Sequence, residues 1–292
     1  MAKRQWLIAG GLAVVIIAWF GLKNPIYKLS LSDTPITAVP MDYSLVESWA
    51  AYPDARPPGA WETPWGVDIF LIGPPTGLAA APGIVNALSE EQREAFDKSI
   101  TELTRALPRG LPIYAPRYHS PSAFHPKGEY ADEVGDALNS ALENYIDNDN
   151  RHRAILLAVD ERALPYAENI TAQVSSGDLA NRFAGRIVFG ESDNRQAPVN
   201  CNPSLENSCE QQVPMQPAAN PSSFFLPQLP GHIVSRTVTE PAGVAETIRV
   251  QSQQVSNWLD ENAPKPAEPL GSIQEVAIVP IRRPGEVEAD SD

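Results

Sequence analysis

The residue types that most often carry out chemistry are scarce in this chain of 292 residues, which has two cysteines and four histidines. Cys201 and Cys209 stand in the polar segment NCNPSLENSC with seven residues between them. This spacing predicts a local disulfide in an oxidising compartment, with two separate free thiols as the alternative. Two thiols without a nearby histidine or second cysteine pair form half of a zinc site, so we expect no metal and no cofactor.

The other reactive side chains form no recognised catalytic motif. The sequence G-x-S-x-G, whose small residues allow the tight turn that exposes a nucleophilic serine, does not occur. His119 and His125 stand six residues apart in a proline-rich segment, which is not a helical ligand spacing. Arg117 is a candidate anion ligand, although we favour a structural ion pair for it.

Strand and helix patterns alternate through the middle of the chain. Short apolar runs predict strands at 67–72, 111–115, 154–159 and 186–189. Amphipathic spacing predicts helices that begin behind the capping sequence 89–92, over 134–146 and over 161–174, with a further helix at 244–262 and a last strand at 276–281. This order predicts an α/β fold with a mostly parallel sheet, helices on both faces and the strand 154–159 at its centre.

Composition limits the class of partner. The chain has 36 acidic and 22 basic residues, a net charge of −14, which argues against nucleic acid and anionic lipid. Its 29 prolines cluster at 35–75, 198–241 and 264–284 and indicate linkers and long loops.

One segment is apolar enough to cross a membrane. Residues 6–22 carry no charge, and a helix of this length spans about 25 Å. Lys3 and Arg4 precede the run, and no small-residue cleavage site follows it, so we favour an uncleaved anchor over a secretory signal. The positive-inside rule then predicts a single-pass protein of a bacterial inner membrane with its domain in the periplasm.

These patterns divide the chain into four parts. Residues 1–28 are the cytoplasmic start and transmembrane anchor, and 29–65 are a linker or an N-terminal wrap. Residues 66–283 form the α/β domain, and 284–292 are an acidic tail predicted to be disordered.

A set of motifs in the α/β domain is similar to a known family. The order VDIFLIGPPTG (67–77), Asn86, IYAPRY (113–118), a helix and a buried strand resembles the α/β-hydrolase-like bacterial family called domain of unknown function 3089. The cysteine pair after RIVFG and the segment 220–221 resemble later parts of the same family. The resemblance covers roughly residues 66–260, and the matching motif positions are Pro74, Thr76, Asn86, Tyr114, Ala115, Pro116, Arg117, Tyr118 and Asp136.

The resemblance implies a nucleophile after the central strand, and here the sequence departs from the family. The corresponding stretch is AVDERA (158–163), where Asp160 replaces the serine and neither flanking glycine is present. Arg162 would put a long side chain where the tight turn admits only a small one. The one histidine late in the chain, His232, is a weak candidate base that we interpret as an ordinary loop residue. A carboxylate nucleophile is known chemistry, but we favour Asp160 as the N-cap of the next helix.

The sequence therefore predicts a membrane-anchored, catalytically inactive α/β-hydrolase-like protein with a binding or scaffolding role in the cell envelope. Its expected partners are the inner membrane, through 6–22, and an envelope protein or small-molecule ligand. An active hydrolase of an ester, lactone or amide, which uses Asp160 or an unrecognised site, is the alternative. A purely structural envelope protein is a third interpretation.

Overall fold

A computed structural model describes residues 2–62, 64–125, 130–190, 200–205, 209–217 and 235–269. The segment 220–221, His232, the predicted strand 276–281 and the acidic tail 284–292 lie outside the described residues.

A six-stranded sheet forms the centre of the domain. Its order is β1-β4-β2-β6-β7-β8, in which β1 runs antiparallel and the other strands are parallel. The strands are β1 Trp49–Ala51, β2 Val67–Ile72, β4 Ile113–Pro116, β6 Ala154–Asp160, β7 Phe183–Phe189 and β8 Glu210–Val213. Two short antiparallel pairs accompany it: β3 Ile84–Val85 with β5 Ser120–Pro121, and β9 Met215–Pro217 with β10 Arg236–Val238.

Helices cover both faces of this sheet. They are α1 Ala2–Leu29, α2 Glu90–Thr104, α3 Ala131–Asn148, α4 Leu164–Val174 and α5 Pro241–Asn262. In β7, a Cβ on Gly185 would lie 2.6 Å from Nε2 of Gln251 in α5. The next residue, Arg186, bonds Thr171 of α4 at 3.4 Å. Neighbouring residues of one strand thus meet different helices, so α4 and α5 lie on opposite faces.

The predicted α/β class and the parallel centre of the sheet are confirmed. Strands β2 and β6 pair in parallel from Val67 opposite Ala154 to Ile72 opposite Val159, and every residue of both strands is buried. Burial on both faces explains why these sequences are apolar except for Asp68 and Asp160, whereas an exposed sheet face would show alternation.

Helix boundaries differ from the predictions for local reasons. The helix predicted over 161–174 is divided into a 3-10 turn, Glu161–Ala163, and α4, because Pro165 has no N–H and suits the first turn of a new helix. Ser89 stands at the N-cap of α2, but its hydroxyl donates to the carbonyl of Asn86 and makes no capping bond.

Two strands of the large sheet were not predicted. Strand β1 belongs to the segment described above as a linker or wrap, and it pairs Trp49 with Pro116 at the antiparallel edge. Trp49 and Tyr43 are buried, so this part of the segment belongs to the core. Strand β8 is polar, Glu-Gln-Gln-Val, and pairs with β7.

Candidate functional site at the carboxyl edge of the sheet

The order of the strands defines one place where a ligand site is expected. The chain leaves β2 through α2 towards β4, but it leaves β6 through α4 towards β7, on the other side. Neighbouring parallel strands whose connections diverge create a crevice at their carboxyl ends, and ligands of open α/β sheets bind there. Gly73 and Pro74 follow β2 at this point, and Asp160 ends β6.

Both carboxylate oxygens of Asp160 accept hydrogen bonds from Arg162, two residues later in the chain. Its Oδ1 accepts hydrogen bonds from the backbone N of Arg162 at 3.0 Å and from Nε of the same residue at 2.7 Å. Its Oδ2 accepts from Nη2 of Arg162 at 2.8 Å. Asp160 has no exposed surface, and the backbone bond makes it the N-cap of the 3-10 turn that follows. A carboxylate held in this way is a structural cap with a counter-ion rather than a free nucleophile.

A second ion pair narrows the same crevice. Arg236, from β10, contacts the carboxylate of Glu161, which comes directly after Asp160. Gly190 makes room for this carboxylate because it has no side chain. A Cβ at this position would lie 2.2 Å from Oε2 of Glu161. The cavity that remains between Pro74, Asp160, Arg162, Met215 and Arg236 measures about 20 Å³, which is room for one water molecule.

The motif residues around this crevice have structural contacts. The hydroxyl of Tyr118 donates to the carbonyl of Gly73 at 2.7 Å and so joins the segments that follow β4 and β2. Burial raises the pKa of Tyr118, so this phenol stays a neutral donor. Arg117 is buried and forms an ion pair with Asp97 of α2, Nη1 to Oδ1 2.6 Å.

Most of the remaining motif positions lie on β4 or in the segments that follow β2 and β3. Pro74 is buried and Thr76 is half-buried behind β2, and Asn86 accepts the N–H of Leu88 at 2.9 Å in a turn. Ala115 and Pro116 pair with β1. Tyr114 lies beneath the edge strand, where its ring is perpendicular to that of Tyr52 at 5.4 Å.

Asp136 lies on α3 beside a second, larger cavity. This cavity measures about 240 Å³ and is bounded by α3, by the segment 38–43 and by Ile84 and His119. His119 closes one wall: its Nδ1 accepts from the N–H of Ala87 at 2.9 Å, and Nε2 contacts the carbonyl of Val39. Burial lowers the pKa of His119, so the ring is neutral and holds two loops together.

A third cavity, larger than these two, lies at the other end of α3. It measures about 540 Å³, and its floor consists of aromatic rings, including Trp49 and Tyr114. Tyr52 donates to Asp149 at its rim at 2.6 Å. The volume is in the range of small-molecule sites, although the place is remote from the divergence of β2 and β6.

None of the described histidines is bonded to Asp160. His152 precedes β6 and is therefore separated from Asp160 by the length of that strand, about 23 Å at roughly 3.3 Å per residue. The candidate base His232 lies outside the described residues. Among the described residues there is also no cluster of three or more potential metal ligands.

The cysteines form the predicted disulfide, Cys201 to Cys209, with their Cα atoms 5.9 Å apart. The bond lies beside β7, since the carbonyl of Cys209 accepts from the N–H of Arg186 at 2.7 Å. It therefore supports the entry into β8 and is remote from the Asp160 crevice in sequence.

Sequence reasoning missed the residues that fill the crevice. Arg162 was recognised only as too large for a nucleophile turn, although a cation two residues after a capping aspartate is a local signal for a return contact. The pair between Arg236 and Glu161 joins positions far apart in the chain, and no local pattern identifies such a contact.

Comparisons of the chain with protein-family models, with curated proteins and with solved structures give no match. The resemblance to the domain of unknown function 3089 therefore stays a prediction that rests on the motifs themselves.

Proposed function

We propose that this chain is a membrane-anchored envelope protein whose α/β-hydrolase-like domain binds a partner or ligand and does not hydrolyse it. The hydrolase-like assignment is supported by the position of Asp160, which follows a central parallel strand where the nucleophile of such a fold stands. It is also supported by the divergence of the connections on either side of that strand.

One observation carries the proposal of inactivity. The carboxylate of Asp160 accepts three hydrogen bonds from Arg162 and has no exposed surface. A nucleophile must approach its substrate within about 3–3.5 Å, and the adjoining cavity of about 20 Å³ does not hold a substrate group. An attack by Asp160 would first require the loss of this bidentate pair.

The proposed place of action rests on the first helix and on the disulfide. Gly11–Leu29 is the one helix of the described residues that is long and apolar enough to span a membrane, as an anchor or as a signal sequence. The bond between Cys201 and Cys209 fits an oxidising compartment such as the periplasm. Basic residues before the helix favour a cytoplasmic N-terminus.

Fractionation tests the anchor. Native protein should stay in the membrane pellet after a carbonate wash, at the mass of the full chain. A soluble form that begins after residue 22 would instead identify the helix as a cleaved signal.

A hydrolysis assay tests the main proposal. The full-length protein in detergent is incubated with esters, lactones and amides beside the Asp160→Asn variant. We expect no turnover above buffer in either protein. Turnover that is lost in Asp160→Asn would establish a carboxylate nucleophile, since an amide cannot attack, and would overturn the proposal. Turnover that persists in the variant would place the active site elsewhere and would equally overturn it.

A further inference from the structure

The exposure of α1 changes abruptly along its length. Residues 11–19 are exposed, whereas Phe20, Lys23, Asn24 and Tyr27 are half-buried or buried. These four positions follow the spacing i, i+3, i+4, i+7 and so share one face of the helix. The ring of Tyr27 meets that of Phe124 in the α/β domain edge to face, with centroids 5.5 Å apart. The last turns of α1 therefore pack on the domain, and the preceding apolar turns do not.

The segment that follows α1 is held against the domain by backbone hydrogen bonds. Ser32 donates its N–H to the carbonyl of Ala80 at 2.7 Å, and Ile36 donates to Pro82 at 2.8 Å. Ile36 and Gly83 form a parallel bridge, and Gly83 has a left-handed φ of 111°. A Cβ on Gly83 would lie 2.1 Å from the carbonyl oxygen of Ile36, so only glycine allows this approach.

This segment packs on two connected stretches of the domain, residues 77–85 and 120–125. They contain the short strands β3 and β5, and we call them the edge loops. They follow the carboxyl ends of β2 and β4. Ser122 joins them, because its N–H donates to the carbonyl of Gly83 at 3.0 Å and its hydroxyl donates to that of Ala79 at 2.6 Å. In a chain of net charge −14, the edge loops contain no Asp, Glu, Lys or Arg, and Ala80 is their one exposed residue.

We propose that the edge loops rest in the headgroup layer of the membrane, so that the carboxyl edge of the sheet faces a neutral phospholipid surface. The proposal rests on the proposed role of α1 as an anchor. The uncharged run ends at Leu22, and Tyr27 lies only four residues beyond Lys23, about 6 Å along the helix. The headgroup layer on each side of a bilayer is about as thick, roughly 5–8 Å.

Several features favour a position of the edge loops in the headgroup layer over a domain that a flexible linker holds away from the membrane. The contact with Phe124 fixes Tyr27 on the domain, and tyrosine is one of the residues enriched at the membrane–water interface. Ala80, the exposed residue of the edge loops, carries no charge that would have to move from water into the interface.

The depth of fluorescent probes in lipid vesicles tests whether the edge loops lie in the headgroup layer. Full-length protein is reconstituted in phosphatidylcholine vesicles that contain a lipid with a nitroxide on its headgroup. A fluorophore is attached through Ala80→Cys, on the edge loops, or through Arg109→Cys, in the exposed turn before the amino end of β4. The native cysteines are paired and do not compete for the label. We expect the Ala80→Cys probe to lose most of its fluorescence and the Arg109→Cys probe to keep it.

A pair of glycine variants then tests the close contact itself. Gly83→Ala should release the segment around Ile36 and reduce the quenching of the Ala80→Cys probe. Gly110→Ala is the matched control, because Gly110 also has a left-handed φ, 93°, but a Cβ there meets nothing within 4 Å. It should leave the quenching unchanged.

The outcomes separate this proposal from the one on which it rests. If the protein floats with the vesicles but the two probes are quenched equally, the edge loops do not lie in the headgroup layer, although α1 still anchors the chain. Protein that does not float overturns both. The hydrolysis assay is independent of either result.

Discussion

Arg162 donates three hydrogen bonds to the carboxylate of Asp160, two from its guanidinium group and one from its backbone N. The two residues are separated by a single position, so the side chain of Arg162 turns back over the end of its own strand. The pair occupies the place where the connections of the sheet diverge. The side chain at the end of this central strand thereby begins the 3-10 turn that follows it.

We predict that Asp160→Asn destabilises the fold by about 1–3 kcal/mol, because asparagine keeps an acceptor for the cap but removes the charge that is paired with the mostly buried Arg162. This expectation differs from that for a simple N-cap, where asparagine and aspartate are nearly equivalent. Urea unfolding of Asp160→Asn, Arg162→Met and the double variant should give a coupling energy of about 1–3 kcal/mol.

The matched control is the ion pair between Arg249 and Glu246 on α5, which spans one helical turn in full exposure to solvent. The same cycle with Arg249→Met and Glu246→Gln should give no coupling beyond error, because water screens such pairs. If the Asp160 cycle were equally flat, the bidentate contact would be absent in solution.

A second buried carboxylate, Asp68, predicts a pH effect. Asp68 is the second residue of β2 and accepts hydrogen bonds from Nε of Arg153 at 2.6 Å and from the hydroxyl of Tyr145 at 3.0 Å. Desolvation by burial raises the pKa of Asp68 to about 6, although Arg153 opposes the rise. The folded state therefore holds a proton that the unfolded chain releases near pH 4. The contribution of Asp68 to stability is present below about pH 4 and is lost as the pH rises through about 6.

The measurement is the free energy of unfolding of wild type and Asp68→Asn from pH 4 to pH 7. The fall in stability across this window should be smaller in the variant. The exposed Asp132 supplies the control, and Asp132→Asn should follow the wild-type profile. A variant profile parallel to that of wild type would show that Asp68 does not titrate in this range.

The sequence predicted the parallel centre of the sheet because that part of the fold is encoded locally. Strands β2 and β6 are buried along their entire length, and such positions favour apolar residues, with Asp68 and Asp160 each paired to an arginine. The amphipathic stripe from Val134 to Tyr145 likewise identified α3, since each of its apolar residues faces the core.

The edges of the sheet and the filling of the crevice could not be predicted in the same way. Strand β8 has no apolar run, and it is held by pairing with β7 and by the disulfide. The contact between Arg236 and Glu161 depends on the tertiary fold to bring distant residues together. Asp160 was found because it follows the central strand, but the geometry of Arg162 around it required coordinates.

Loss of the disulfide should weaken the β8 edge. The double variant Cys201→Ser, Cys209→Ser is expected to lose about 2–3 kcal/mol of stability, from the entropy of closing a loop of this length. Amide exchange should rise first in β8, because the carbonyl of Cys209 accepts the N–H of Arg186 where β7 meets it. Thiol labelling of unreduced protein from the envelope should modify neither cysteine, and labelling of both would contradict the bond.

Gly185 is the glycine on which the packing of α5 depends most directly. It lies in β7 with a left-handed φ of 95°, at the irregularity where β7 pairs with β6. A Cβ there would lie 2.6 Å from the carbonyl oxygen of Cys209 and 2.6 Å from Nε2 of Gln251. The amide of Gln251 donates to the carbonyl of Ala184 at 2.7 Å, so the clash would displace a buried bond as well as a side chain.

We therefore expect Gly185→Ala to lower stability by several kcal/mol, from backbone strain of about 1–2 kcal/mol together with overpacking of about 1–3 kcal/mol. Gly177→Ala provides the matched comparison, since Gly177 has a left-handed φ of 55° and open space around it. That variant should show the backbone strain alone. Thermal unfolding of both variants measures the difference, and equal losses would mean that α5 does not approach β7 as closely as the 2.6 Å contacts require.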